Sequence, residues 1–141
     1  MNSMEKGEEF ENTFLSFVEA LKVLSFDAEE QCEVMGNYNV PWEIQDDVLR
    51  GCHSVARSPS SYLTPEQTQK VEELAGQLQA LPVEAVAPMN VMTDNNMGSI
   101  ICMRHEAWNP LRQNATELLR LLRPAIERNQ AYFQSPSGER R

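Results

Sequence analysis

Carboxylates at helical spacing are the residues of this chain best placed to do chemistry. Glu29, Glu30 and Glu33 read EExxE, and Glu43 with Asp46 reads ExxD, on either side of the break Gly36-Asn-Tyr-Asn39. If the flanking segments are helices folded back as a hairpin, Glu33 lies about one turn before the break and Glu43 about one turn after it. The acids then face each other at one height. Hard oxygen ligands on facing helices suit Mg²⁺, which makes Glu30, Glu33, Glu43 and Asp46 the metal-binding candidates. The same stretch supports a second chemistry, recognition of another protein. Tyr38 and Trp42 stand among Asn37, Asn39, Glu43, Asp46 and Asp47, and aromatic anchors ringed by charge are what binding hot spots are made of. These seven residues are the partner-binding candidates. A third reading makes Trp42 a plug for the hairpin end of the core.

Other constellations carry less. His105-Glu-Ala-Trp-Asn109 approaches the zinc-protease pattern HExxH, but Asn in the last place removes the i, i+4 histidine pair that would hold the metal. His53 and His105 have no local nucleophile signature beside them, so no catalytic residue is assigned. Cys32, Cys52 and Cys102 are odd in number and contain no Cys-x-x-Cys pair, which argues against disulfides or structural zinc and for small buried hydrophobes. Glycine-rich phosphate loops are missing. Arg112, Arg120, Arg123 and Arg128 lack the interleaved aromatics of a base-stacking surface and read as a solvated or ion-paired helix face.

The elements that must position these groups are helices. Phe10, Phe14, Phe17, Val18, Leu21 and Leu24 form one stripe and predict a helix over 8–25. Asp27 with Glu30 fits a capping pair for a segment whose Ala28, Cys32 and Met35 share a face and which stops at Gly36 and Asn37. Asn39 caps the next helix with Pro41 in its first turn, Ile44, Val48, Cys52 and Val55 on its apolar side, and an end near Arg57. Gly51 inside it marks a close helix crossing. Thr64-Pro-Glu-Gln67 is a capping box for a helix over 65–80 bearing Val71, Leu74, Ala75, Leu78 and Leu81, which Pro82 ends. Residues 82–108, with Met89, Met92, Met97 and Met103, read as irregular apart from a short helix near Ile100 to His105. A last helix starts at Pro110 behind an Asn109 cap, carries Leu111, Ala115, Leu118, Leu122, Ile126 and Phe133, and bends at Pro124. The fold class is all-α, a single domain of four to six helices over 1–141, with disordered ends at about 1–6 and 134–141.

Bulk composition narrows the partners. The chain has 141 residues, 41% hydrophobic and 23% charged, enough for one core and too apolar for wholesale disorder. No apolar run could cross a bilayer, and the start MNSMEKGEEFEN has no secretory character, so the expected location is the cytoplasm. The net charge is −9, and its distribution is one-sided: residues 1–47 hold 12 acids and 2 bases, whereas residues 48–141 hold 9 acids and 10 bases. Such a field repels nucleic acid and anionic membranes and steers a basic protein partner.

Two resemblances follow from these residues. The EExxE and ExxD run over 29–46 resembles the carboxylate signature of the MazG-like all-α nucleoside triphosphate pyrophosphohydrolases. That resemblance implies Mg²⁺ held by Glu30, Glu33, Glu43 and Asp46 to orient a triphosphate and activate water. The chain as a whole, short, acidic, helical and without a catalytic signature, resembles the bacterial immunity proteins that neutralise toxins. That implies a stoichiometric inhibitor of a basic toxin or nuclease, with no cofactor, acting through the Tyr38 and Trp42 face. An acidic mimic of DNA is a further alternative.

Overall fold

The computed structural model describes residues 3–36, 39–57, 62–86 and 95–134. The first stripe becomes α1 (Ser3–Ser25), which buries Phe14, Phe17, Val18, Leu21 and Leu24. It begins at Ser3, so residues 3–6, expected to be disordered, are helical in backbone. Asp27 then caps α2 (Ala28–Met35) by accepting the Glu30 N–H at 2.8 Å. Gly36 closes α2 at φ +78°, a conformation that side chains with a Cβ resist, and returns its own N–H to the Cys32 carbonyl. Helix α3 (Val40–Ala56) starts at Asn39, whose side chain accepts the Trp42 N–H, with Pro41 in its first turn where no N–H is needed. The capping box at Thr64 and Gln67 is complete and opens α4 (Pro65–Gln79).

The second half departs from the sequence reading. The segment 82–108 contains two helices, α5 (Val83–Val86) and α6 (Asn95–Met103); residues 87–94, which include Met89 and Met92, lie outside the described residues. The last helix is two, α7 (Trp108–Leu121) and α8 (Arg123–Gln134), broken at Leu122 because Pro124 in the first turn of α8 has no N–H to return to Arg120. Eight helices therefore stand among the described residues where four to six were expected. Asn109 is not the cap of α7. The helix enters earlier, after Ala107, with no side-chain cap, and the preceding turn is held by the Ala107 N–H donating to His105 Nδ1 at 3.0 Å. Asn109 accepts from Arg112 instead.

The chain is an all-α single domain. Helix α1 packs on α3 and α7, α3 also packs on α4, and α4 closes against α7; α8 lies on α1, while α2 and α5 lean on α6. The core is continuous through all of them. Trp108 is fully buried, and its indole N–H donates to the Ala85 carbonyl at 2.9 Å, so the largest core side chain ties α7 to α5 without an unmatched donor.

Polar side chains join the helices at one recurring kind of place. The last carbonyls of a helix have no partner within it. Gln31, fully buried, donates from Nε2 to the Val23 and Leu24 carbonyls at the end of α1. Gln45 donates to the Leu78 carbonyl at the end of α4, and Gln67 to the Leu121 carbonyl at the end of α7. Arg112 donates to the Met103 carbonyl at the end of α6 and, at 2.8 Å, to Gln31 Oε1. Burial pulls the Arg112 guanidinium below its usual range, an effect that the charges of Asp27 and Glu29 oppose. Arg112 thus belongs to an interior network and not to the solvated face read from the sequence, whereas Arg120 does sit at the surface, paired with Glu117. Across the molecule, Glu11 accepts from the Tyr62 hydroxyl and the buried Asn129 amide, both at 2.8 Å, joining α1 to α8.

Candidate functional site

The N-terminal half of α3 carries the candidates, and its geometry follows from the helical repeat. Pro41, Ile44, Val48, Cys52 and Val55 face the core. That leaves Trp42, Asp46 and Arg50, at i, i+4 and i+8, as an outward ridge. Trp42 is 52% exposed, unlike Trp108 at 0%, so it does not plug the hairpin end. Asp46 accepts from Arg50 Nε at 3.0 Å and Nη2 at 2.7 Å, a pair internal to the helix. Asp47 lies exposed beside it and Glu43 half-buried one turn earlier. Neither of these two carboxylates nor the Trp42 indole makes a side-chain hydrogen bond or ion pair among the described residues. Partial burial, helped by the Asp46 charge, pushes the Asp47 carboxyl above the ordinary aspartate range; Arg50 pulls the other way. Asn39 is exposed, but its oxygen is engaged as the α3 cap. Asn37 and Tyr38 fall outside the described residues.

The metal candidates do not converge. Glu30 and Glu33 sit on α2, which leans on α6 and is fastened there by Arg104 Nε donating to Glu29 at 2.8 Å. Glu43 and Asp46 sit on α3, which leans on α1 and α4. Helix α2 also touches α3, but among the described residues, which include all four acids, no group of three or more His, Cys, Asp or Glu side chains could hold a metal ion.

Nucleophilic chemistry finds no support in the cysteines. All three are free thiols, and burial pushes Cys52 up to about 12 and Cys32 and Cys102 above their ordinary range, which keeps them protonated and unreactive.

Sequence reasoning missed two features of the surface. Val34, Val83 and Ile101 are exposed on α2, α5 and α6, and only their departure from apolar stripes could have signalled it. An open groove of about 550 Å³ also runs between α1 and α3 beside Asp47. Its signal was Gly51: a Cβ there would stand 2.7 Å from Phe17 Cδ1, so the two helices cross as closely as a glycine permits. Among the described residues no helix is long and apolar enough to cross a membrane. Comparison with family models, with curated proteins and with solved structures gave no match for this chain.

Proposed function

We propose that the protein acts by stoichiometric binding, as an immunity-type inhibitor that neutralises a basic toxin or nuclease through the ridge at the start of α3. The observation that carries this reading is Trp42, half exposed beside two carboxylates, Glu43 and Asp47, that make no side-chain hydrogen bond or ion pair among the described residues. An exposed indole loses contact with water on binding and supplies a large rigid contact area, while unpaired acids around it speed encounter with a basic surface. The excess of acids within residues 1–47 extends the same field over the surrounding helices.

The test is a combined variant, Trp42→Ala with Asp46→Lys and Asp47→Lys. All three positions are on the solvent side of α3, so helicity by circular dichroism should be unchanged. Loss of one aromatic anchor costs about 2 kcal/mol or more at a hot spot, roughly 30-fold in affinity before the charge reversal is added. Cells carrying the cognate toxin should lose protection. Full protection by the folded variant removes this ridge as the binding face, and salt-sensitive binding to many basic proteins in place of one would instead support a DNA mimic.

A further inference from the structure

We propose that the groove between α1 and α3 is the pocket in which one lysine or arginine side chain of the basic partner inserts, with Asp47 as its counter-ion. This deepens the binding reading above and rests on it. The groove exists because of the helix crossing at Gly51 and Phe17: close approach there, with Ser16 and Ala20 on α1 and Ser54 on α3, leaves short side chains where longer ones would fill the space. Its floor is Phe17, apolar and itself closed to solvent, which suits the methylene stem of a long cationic side chain. Its rim is acidic on both sides. Asp47 on α3 makes no hydrogen bond or ion pair among the described residues, although the Arg50 charge acts on it, and Glu19 on α1 makes only an exposed contact with Lys22 at 3.3 Å. Arg50, the one cation among the described lining residues, is held by Asp46 through two hydrogen bonds and so is drawn to the outer ridge. A cation entering the groove meets a carboxylate that holds no hydrogen bond or ion pair among the described residues, hydroxyls able to accept its remaining N–H groups, and an apolar floor. A neutral or anionic side chain of the same length meets an uncompensated acid.

The test titrates the full chain, followed by amide chemical shifts, with N-acetylarginine methylamide and, as the neutral control of the same shape, N-acetylcitrulline methylamide. Shifts confined to Ser16, Ala20, Gly51 and Ser54 and seen with the cationic probe are expected. Asp47→Asn should weaken the response about fivefold, the worth of one partly screened ion pair, and Ser54→Leu, which fills the groove and leaves its charge intact, should weaken it as well. Shifts scattered over the acidic surface, an equal response to the citrulline probe, or unchanged affinity in either variant would overturn the pocket. Because the titration uses no partner, its failure leaves the Trp42 result standing, and a Trp42 variant that keeps protection leaves the pocket standing.

Discussion

Asp47 shows what a single residue on this ridge costs and what it offers. Its carboxyl is held above the ordinary aspartate range by partial burial and by Asp46 one position earlier. The native chain therefore keeps this proton to a higher pH than the unfolded chain does. Stability from this residue is present below the ordinary value and is lost as pH rises through the raised one. Asp47→Asn has no charge to accommodate, so it should be more stable than the parent at neutral pH, with the difference vanishing below the ordinary aspartate range. Urea denaturation at the two pH values measures it; a variant less stable at neutral pH would mean that Arg50 compensates the charge. Individual residues were legible in the sequence where their role is local. Asp27, Asn39, Thr64 and Gly36 each act within a turn of their own position, and each does what its type implies. Gln31 was not legible: the face of α2 was read through Cys32, but Gln31 is the buried residue, because its partners are the end of α1 and, 81 positions away, Arg112.

Between elements, the crossing of α1 and α3 sets the spacing of the site. Two glycines inside helices separate backbone preference from packing. At Gly51 an added methyl would lie 2.7 Å from Phe17 Cδ1 and 3.3 Å from Phe17 Cβ, an atom fixed to the α1 backbone, so Gly51→Ala should lose about 1–3 kcal/mol through overpacking despite a better helix residue. At Gly76 in α4 nothing lies within 4 Å, so Gly76→Ala should gain about 0.5–1 kcal/mol. Thermal unfolding of the two variants checks the opposite signs; two stabilised variants would mean that the crossing is loose. Helix α1 was readable from its apolar stripe, and α2, α3 and α4 because side chains cap them. Helix α7 was misplaced by two residues because its entry depends on the His105 turn and on Trp108 reaching Ala85, contacts that no local pattern announces. The α2 and α3 acids looked like a metal site because their spacing is right along the chain, whereas the packing of α2, mainly on α6, is set by contacts distant in sequence.

For the molecule as a whole, charge and cohesion work against each other. The net −9 favours expansion, and the ion pairs among the described residues lie at the surface, where each contributes little. Raising salt from about 0.01 to 0.15 M shortens the screening length from about 30 to about 8 Å, so the melting temperature should rise, by about 2 °C or more. A fall would show that the local pairs outweigh the general repulsion. Single-domain size, helical class and the one-sided charge were all present in the composition; the two helices of the 82–108 segment were not, since mixed Pro, Asn and Met leave no period to follow. The side chains that finish one helix belong to another: Gln31 closes α1, Gln45 closes α4, Gln67 closes α7 and Arg112 closes α6. No terminus of these four can fray without releasing a donor from its neighbour, so unravelling begun at one end is passed on, and the chain should come apart as one cooperative unit.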